Sequence, residues 1–540
     1  MSSSFIILPI HLFEKDILLE RINDILPDIK TFYILEEPIY FGDRPLTTTS
    51  KNNNPDNKLN YNKLKLIYHC ATTQYYYDYI SPILESHNKI VKHISYDKLS
   101  SIKGYNPIKP ASSKNNKVYM FDPVDIFVES KYNGIFPKDK LHILETPLFL
   151  CSNTDLSQYD KTKKTKTSYF HASFYTWQRS RMDILTGSKT YDTENRNMMP
   201  INVKVPSLPS SSPSTTTDSA KQFKKYVDNA IKYVNKTWPH NLEPVYLQKK
   251  EKSLESSSIL FPITHSATRE WVKHFCKMRF QHFGKYEDSI DSVPRNFLFH
   301  SGITPMLNIG LITPQEVVNI ITDYYNSHKT QIGIANYEGF IRQIIGWREY
   351  QRYIYRYSGD KMRSSNHFNN AGILSQQWYN GTTGIKPVDD AIIMAINDGY
   401  IHHILRLMVV GNMMNLVGIH PDQVYKWFME FALDSYDWVM VGNVYSMALW
   451  ADGGLTMRKP YISGSGYIMK MGNFDSKSKE TKEWQNKWDD VFHHFIDRNG
   501  EKLLKTYYAG LVKAWGKQPQ HNKNDILQNA GDIIKSLTTK

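Results

Sequence analysis

The segment DGYIHHILRLMVVGNMMNLVG, residues 398–418, extends an apolar run that begins at Ala391 and repeats apolar residues every three or four positions. The residues that can share or adjoin one face of a helix are Ile392, Ile396, Ile404, Leu407 and Val410. We therefore predict a helix over residues 391–416. Because the same spacing continues from about residue 261 onward, the second half of the chain is predicted to be predominantly α-helical.

The same segment places two histidines and an arginine among apolar neighbours. On a helix, His402 and Arg406 are four residues apart and His403 and Arg406 are three apart, so one guanidinium can lie over either imidazole. A fixed cation lowers the pKa of a nearby histidine, and a buried anion raises it again. Such a site suits proton transfer. The alternative, a pair of core histidines with satisfied hydrogen bonds, stays equally open.

The first 150 or so residues alternate short apolar runs with amphipathic stretches. We predict a helix over residues 15–25 and strands over residues 5–10, 31–35 and 64–68. This alternation is typical of an α/β layer with a parallel sheet. The polar inserts at residues 42–62 and 108–116 are predicted surface loops. PSLPSSSPSTTTDS, residues 206–219, is predicted to be a mobile connection.

The composition narrows the class of protein. The chain has 540 residues, 41% of them hydrophobic, which excludes a disordered polyelectrolyte. The formal net charge of +13 favours a polyanionic partner such as nucleic acid. The abundance of Asn, Ile and Lys also fits AT-rich coding, as in a large DNA virus or an AT-rich microbe.

The cysteine content points to a reducing compartment, and the hydropathy points to a protein without a membrane span. Cys70, Cys151 and Cys276 form no Cys-x-x-Cys pair, which argues against a disulfide scaffold and against a thiolate zinc site. No run approaches the length of a membrane span, and the N-terminus has no convincing signal peptide. We expect a soluble, monomeric intracellular protein, cytoplasmic or nuclear, with no membrane partner.

Two further segments have the composition of a binding site. EGFIRQIIGWREYQRYIYRYSGD, residues 338–360, interleaves arginines with aromatic rings, a pattern that suits phosphate, flavin or a nucleobase. FALDSYDWVMVGNVYSMALWADGGLTMRKPYISGSGY, residues 431–467, sets polar residues among aromatic residues and glycines, as in a pocket lining. A solvated helix face and an ordinary helix pair are the respective alternatives.

Five segments, in this order, resemble the deoxyribodipyrimidine photolyase-related proteins, the prokaryotic-type 6-4 photolyases and bacterial cryptochromes that usually carry an iron–sulfur cluster. They are FLFHSGITPMLNIGLITPQEVV, GFIRQIIGWREYQRYIY, DGYIHHILRLMVVGNMMNLVG, VYKWFMEFALDSYDWVMVGN and ADGGLTMRKPYISGSGYI. The likeness covers roughly residues 64–466 and is most specific in the helical half.

The resemblance implies a fold and an activity. We expect an α/β antenna-type domain with a parallel sheet over residues 1–160, an interdomain linker over 161–260, and an all-α FAD- and DNA-binding domain over 261–540. Reduced FAD would pass an electron, under light, to a 6-4 photoproduct flipped out of the DNA duplex. Protein groups would supply a proton and exclude water.

The resemblance also assigns residues to roles. His402, His403 and Arg406 match the family's His-His-x-x-Arg motif, with His403 as the expected proton donor. The expected FAD contacts are Ser301, Ile303, Thr304, Arg348, Arg352, Asp434 and Asn443, and Asp434 is alternatively the partner of Arg406. The expected electron-transfer chain to the surface is Trp378 and Trp427, with Phe428 where a tyrosine is usual. The expected DNA contacts are Tyr461, Arg458 and Lys459.

The chain departs from the family pattern at two places. A four-iron cluster needs four thiolates and the chain has three cysteines, so we predict no iron–sulfur cluster and no metal. Its packing role would pass to one helix face formed by Trp484, Trp488, Phe492 and Phe495. The first strand runs into residues 9–12, Pro-Ile-His-Leu, where relatives have Gly-Asp-Gln-Leu, although Glu36 and Glu37 remain. A lumazine-type antenna chromophore is therefore left open.

Two alternative functions remain at this point. One is a cryptochrome-like blue-light receptor without repair, against which the presence of both His402 and His403 argues. The other is a flavin-free structural or DNA-packaging protein on the same fold. A cyclobutane dimer is an alternative lesion, because only the histidine pair separates the two substrates.

Overall fold

The N-terminal half contains a five-stranded parallel sheet in the order β3-β2-β1-β4-β5. The strands of this computed structural model are β1 (Ser3–Ile7), β2 (Ile29–Leu35), β3 (Ile90–Ile94), β4 (Val118–Phe121) and β5 (Leu141–Leu144). In the central strand, Phe5 lies opposite Phe32 and Tyr119. The predicted α/β class with a parallel sheet is confirmed. The structure describes residues 3–46, 58–100, 116–163, 168–186, 190–192, 195–200, 203–209, 218–245, 253–293 and 297–539.

The direction of the strand order changes between β1 and β4, where α/β folds commonly bind ligands beyond the carboxyl ends of the strands. Here His11 is fully buried, and its Nε2 donates to the carbonyl oxygen of Asp122 at 3.2 Å. Its ring lies against Phe13 and Phe121. Burial lowers the pKa of His11 to about 4, so a neutral side chain occupies this crevice.

The prediction of a strand over residues 64–68 is wrong. These residues begin α2 (Lys63–Ser86), whose N-terminus is capped by the Asn62 side chain accepting from the Leu64 backbone amide at 2.9 Å. Residues 63–73 are all buried, so the helix is buried on every side and its run has no amphipathic signal. The helix predicted over residues 15–25 is confirmed as α1 (Lys15–Ile22).

The region between the two halves contains helices of its own. Helices α3 (Tyr96–Ser100), α4 (Ile126–Ile135) and α5 (Asn153–Thr162) still belong to the N-terminal half. The region that follows forms α6 (His171–Met182) and α7 (Asp218–Thr237). Helix α7 packs along α2, where the Tyr226 hydroxyl donates to Asp78 at 2.8 Å. Most of the predicted mobile connection, and most of both predicted loop inserts, lie outside the described residues.

The second half is helical, as predicted. Its α-helices are His265–Met278, Phe280–Phe283, Thr304–Leu307, Pro314–Ser327, Lys329–Ile341, Glu349–Arg363, Gln377–Asn380, Lys386–Asp398, Asn412–Val417, Pro421–Phe431, Asp437–Met440, Ser465–Met471, Lys479–Arg498, Gly500–Leu503, Ala509–Gly516 and Gln520–Leu537. A two-stranded antiparallel ribbon pairs β6 (Ile373–Leu374) with β7 (Thr538–Thr539). Three π-helical segments, Arg342–Arg348, Leu405–Gly411 and Val441–Ala448, complete this half.

The helix Lys479–Arg498 buries the face predicted from the sequence. Its four aromatic residues are each at most 8% exposed, namely Trp484, Trp488, Phe492 and Phe495. The Trp488 indole donates to the carbonyl oxygen of Ser463 at 3.0 Å, which ties this helix to the segment that follows residue 460. Aromatic packing thus joins the C-terminal helices to the rest of the helical half.

Candidate functional site

The helix predicted over residues 391–416 is interrupted before the histidine pair. It ends at Asp398, and Gly399 follows in the left-handed region, with φ of 63°. The Leu433 side chain occupies the space that a Cβ at position 399 would need. Residues 400–402 are not helical, and a new helix starts at His403. His402 and His403 therefore lie at the start of a helix, which corrects the prediction that both lie within one.

Three imidazoles meet at this point. The His300 ring stacks on the His402 ring with centroids 4.7 Å apart, and it meets the His403 ring edge-on at 5.2 Å. His402 is 2% exposed, whereas the His403 side chain is 45% exposed. The site therefore has two buried imidazoles behind one that faces solvent.

Burial decides the charge of the two inner histidines. It lowers the pKa of His402 well below its ordinary value, and the neighbouring His403 and Arg406 lower it further. The pKa of His300 is also well below the ordinary value, first because of burial and then because of His402 and His403. Both rings are therefore neutral at pH 7. Among the described residues, His300 Nε2 and His402 Nδ1 have no hydrogen-bond partner.

Arg406 pairs with Asp434 and does not lie over an imidazole. Its two terminal nitrogens donate to the two carboxylate oxygens of Asp434 at 2.9 and 3.1 Å, and its Nε donates to the carbonyl of Ile401 at 2.6 Å. The guanidinium lies 5.0 Å from the Tyr400 ring centroid. The ion pair proposed as an alternative for Asp434 is present, and the stacking of Arg406 on a histidine is wrong.

Asp434 also connects the segment of residues 301–308 to the histidines. The Thr304 hydroxyl donates to the Asp434 carboxylate at 2.5 Å, and the Asn308 amide donates to its backbone carbonyl at 2.8 Å. Two other predicted residues of this segment are used differently. Ser301 accepts the Trp271 indole on its carbonyl at 2.7 Å, and Ile303 is buried in the core. Thr304 is thus the residue of this group that contacts the Arg406–Asp434 pair.

The π-helical segments each carry one predicted polar residue, namely Arg348, Arg406 and Asn443. Wide turns of this kind leave backbone and side-chain groups in unusual directions and are frequent at functional sites. Arg348 is buried, donates to Asn308 and to the Leu148 carbonyl, and lies 4.8 Å from the Trp438 ring centroid. Asn443 accepts the Gln351 amide at 3.4 Å.

Arg352 differs from the other predicted cofactor contacts. It is 1% exposed, and it donates to the Cys151 carbonyl at 2.6 Å and to Asp122 at 3.1 Å. Both partners belong to the N-terminal half. The structure therefore shows Arg352 joining the two halves, and its role as a FAD contact stays a prediction.

The aromatic residues predicted for electron transfer lie together. The Trp427 indole donates to the Trp378 carbonyl at 2.8 Å, and Phe428 lies 5.0 Å from the Trp427 ring. Trp378 is fully buried, and its own indole donates to the Leu537 carbonyl at 2.9 Å. The C-terminal segment thus covers Trp378, so the pair by itself does not reach the surface.

The predicted DNA contacts lie on an exposed rim. Arg458 and Lys459 are exposed, with their charges 5.0 and 4.7 Å from the Phe170 and Tyr507 ring centroids. Tyr461 is partly buried. Burial raises its pKa, the charge of Arg196 lowers it, and the charge of Asp288 raises it, so that the pKa lies above its ordinary value. Asp288 also lies 3.6 Å from His403 Nε2.

Sequence reasoning missed His300 and Asp288. His300 stands in the segment that carried the resemblance, as the polar residue after the apolar run 297–299, and this interruption was the available signal. Asp288 had none, because its importance depends on a contact with a residue 115 positions later.

A separate cavity of about 630 Å³ between α6 and Pro314–Ser327 is lined by Arg181, Ile184, Val318 and Thr322, none of them predicted for the site.

Comparison with known proteins identifies the family. A family model described as deoxyribodipyrimidine photo-lyase-related protein matches residues 43–233, and one described as the FAD binding domain of DNA photolyase matches residues 337–514. The chain belongs to the photolyase-related family. Among the described residues of this photolyase-related protein, no helix combines the length and apolar character that a membrane span requires.

Two relatives and one solved structure are similar to the photolyase-related protein. The chain is 28% identical over 402 residues to a protein of Agrobacterium fabrum named (6-4) photolyase, covering 72% of this chain and 74% of that one. It is 46% identical over 130 residues to an uncharacterized protein of Acanthamoeba polyphaga mimivirus, covering 24% of this chain and all of the relative. The crystal structure of a class III photolyase from Agrobacterium tumefaciens superposes with a TM-score of 0.50 at 13% identity, covering 99% of this chain and 98% of that one. This last likeness shows the fold.

The helical half of the photolyase-related protein fits a flavin dinucleotide. Within the FAD-binding match, the buried polar atoms without a partner among the described residues include Arg348 Nε, Gln351 Oε1, Ser435 Oγ and Ser446 Oγ. Buried polar atoms are normally hydrogen-bonded, so unpaired ones mark a place for a polar ligand. An arginine suits the phosphates, and amide and hydroxyl groups suit the ring edge.

Proposed function

We propose that this protein repairs UV-damaged DNA in a light-driven reaction that depends on FAD, and that its substrate is the 6-4 photoproduct. The observation that carries the proposal is the arrangement of the histidines. His403 is exposed, whereas His402 and His300, whose rings it adjoins, are buried and neutral. Arg406 is paired with Asp434. A lesion that needs a proton would meet His403 first.

His403 is the residue that we propose as proton donor. Its side chain is 45% exposed, and its Nε2 lies 3.6 Å from the Asp288 carboxylate. His402 and His300 are neutral because they are buried, so they orient and support the outer ring without supplying a proton. The Arg406–Asp434 pair fixes the backbone around Ile401 through the bond from Arg406 Nε.

We propose that FAD is held by Thr304, Arg348, Asp434 and Asn443, with Ser301 and Ile303 forming the wall of the same segment. When bound, reduced FAD supplies the photochemical electron. The chain's contribution is to bind it, to exclude water around the buried histidines, and to hold a proton at His403. A lumazine antenna lacks such support, because Glu36 accepts from the Tyr96 amide and Glu37 from Lys131 and Tyr132.

DNA would bind on the rim of Arg458, Lys459 and Tyr461. The two cations are exposed and would supply phosphate contacts, and the partly buried Tyr461 follows them in the chain. The net charge of +13 supports a polyanionic partner. We expect the flipped lesion to enter between this rim and His403.

The decisive test is repair of a duplex that carries one 6-4 photoproduct, under blue light, by FAD-loaded protein. His403→Ala should reduce the repair rate by about 10²–10⁴-fold, the usual contribution of a positioned acid, while the flavin absorption spectrum stays the same. His521→Ala, which removes an exposed histidine at the start of the C-terminal helix, is the matched control and should repair at the normal rate.

Other outcomes of this experiment separate the alternatives. Bound, light-sensitive flavin without repair of any lesion would indicate a receptor. Repair of cyclobutane dimers alone would move the substrate to that lesion. Protein that shows no flavin absorption after reconstitution would contradict both light-dependent roles.

A further inference from the structure

The proposed electron-transfer pair ends on a ring that solvent does not reach. Trp378 is fully buried beneath the C-terminal segment, and Phe428, next to Trp427, is 4% exposed. A phenylalanine has neither a dissociable proton nor an electron that a tryptophan radical can remove. An electron from outside must therefore reach Trp427 by another side chain.

Tyr379 is the residue in position to do this. It follows Trp378 directly in the chain and is partly exposed. The Phe431 ring bridges the two, with centroids 4.4 Å from Trp427 and 5.8 Å from Tyr379. The Trp427 indole also donates to the Trp378 carbonyl at 2.8 Å, so the two helices Gln377–Asn380 and Pro421–Phe431 are held in contact.

Glu430 stands beside the Tyr379 hydroxyl. The carboxylate interacts with this phenol, accepts a hydrogen bond from the Asn60 backbone amide at 2.7 Å, and is 2% exposed. Two cations face it, Lys426 at 3.9 Å on its own helix and Lys65 from α2. Burial raises the pKa of Glu430 to about 7, so a proton acceptor is available in the neutral range.

We propose that Tyr379 is the terminal electron donor to Trp427 and that Glu430 takes its proton in the same step. One electron passes from the phenol to the oxidised indole of Trp427, restoring neutral tryptophan. The Tyr379 O–H bond breaks and an O–H bond forms on Glu430, leaving a neutral tyrosyl radical. An added thiol then reduces that radical. The oxidant of Trp427 is light-excited, oxidised flavin, so the inference rests on the proposed FAD site.

This arrangement makes the electron supply depend on pH. Protonated Glu430 cannot accept the phenolic proton, so the yield of the tyrosyl radical should rise as the pH increases through about 7. The groups that face Glu430 are Tyr379, Lys426, Lys65 and the Asn60 amide, and the two lysines favour the charged carboxylate. Deuterated solvent should slow the step, because a proton moves with the electron.

The test is transient absorption of FAD-loaded protein after a blue flash, with thiol as the external donor. Tyr379→Phe should abolish the tyrosyl radical and slow steady-state flavin photoreduction by at least about tenfold, which corresponds to about 1.4 kcal/mol in the barrier. Glu430→Gln should keep Tyr379 but lose the pH dependence and the solvent isotope effect. Tyr507→Phe, at an 80% exposed tyrosine elsewhere, is the control and should behave as the unchanged protein.

Two results would overturn the proposal while leaving the proposed function intact. One is flavin that binds normally and is photoreduced at an unchanged rate in Tyr379→Phe. The other is a radical yield in Glu430→Gln with the same pH dependence as before.

Tyr379→Trp should restore photoreduction without the pH dependence, which guards against a folding defect. Repair by chemically pre-reduced protein should be unaffected by Tyr379→Phe, so loss of repair there would count against the proposal.

Discussion

Replacing Asp437 by asparagine should weaken the contact between the two halves of the protein. The Asp437 carboxylate is fully buried and accepts from Arg363, Tyr425 and, at 2.5 Å, from Tyr355. It also lies 3.0 Å from Arg44, a residue of the N-terminal half. Asp437→Asn preserves the shape of the side chain and removes the charge, so two buried guanidiniums lose their common anion.

The size of the effect follows from the burial of the partners. The side chains of Arg44 and Arg363 are 1% and 4% exposed, so solvent cannot replace the lost carboxylate. Breaking a buried ion pair by removing one partner costs about 3–5 kcal/mol. The entropy of unfolding grows with chain length, so a chain of 540 residues should shift by about 1 °C per kcal/mol, and the midpoint of thermal unfolding should fall by about 3–4 °C.

The pH dependence of this effect has a definite sign. Arg363 and Arg44 hold the pKa of Asp437 well below its ordinary value, outweighing the effect of burial. The group therefore contributes stability that is fully present well above its unfolded pKa of about 3.9 and is lost as the pH falls toward the lower folded pKa. The difference between Asp437→Asn and the unchanged protein should be constant from about pH 7 to pH 5 and shrink at more acidic pH.

Thermal unfolding followed by circular dichroism, at one heating rate, measures this difference. Asp422→Asn is the matched control, because that carboxylate is 23% exposed and accepts from the Tyr445 hydroxyl at 2.6 Å. It should cost about 1 kcal/mol or less. If Asp437→Asn melts as close to the unchanged protein as Asp422→Asn does, the network does not hold the halves together and the reasoning fails.

Two further predictions concern the site itself. Gly399→Ala forces a left-handed conformation on alanine and pushes its methyl group into Leu433. The free energy of unfolding should fall by about 1–3 kcal/mol, and repair should slow because the histidines are displaced. Unchanged unfolding and repair would contradict the role of this turn. Replacing both Arg458 and Lys459 by alanine should reduce the slope of log affinity against log salt by about two for damaged duplex DNA, whereas Lys479→Ala, at a 92% exposed lysine, should leave it unchanged. An unchanged slope in the double variant would remove these two residues from the DNA interface.

The sequence predicted elements with a clear period better than it predicted their interruptions. The aromatic face of Lys479–Arg498 was predicted residue by residue, because large rings recur every three or four positions, and all of them are buried. The run at residues 64–68 was misread, because a helix buried on every side has no polar face. The break at Gly399 was missed, because the sequence does not show whether a glycine within an apolar run adopts the left-handed conformation that ends a helix.

The site shows the same division. Asp434 was predicted as a possible partner of Arg406, and the two side chains form that pair. Arg352 was predicted as a FAD contact together with Arg348, and both reach the N-terminal half, Arg352 at Asp122 and Cys151 and Arg348 at Leu148. Contacts between residues some 200 positions apart depend on how the halves dock, and local spacing contains no information about docking.

The third imidazole supports our proposal that His403, and not His402, acts as the acid. His300 and His402 are stacked and buried, so protonating either would place a charge against a neighbouring ring without solvent to stabilise it. His403 differs from both, because its side chain is 45% exposed and its Nε2 lies 3.6 Å from the Asp288 carboxylate. The selectivity therefore arises from the different burial of chemically identical groups. Any substitution that admits water to His300 should weaken this difference before it weakens the fold.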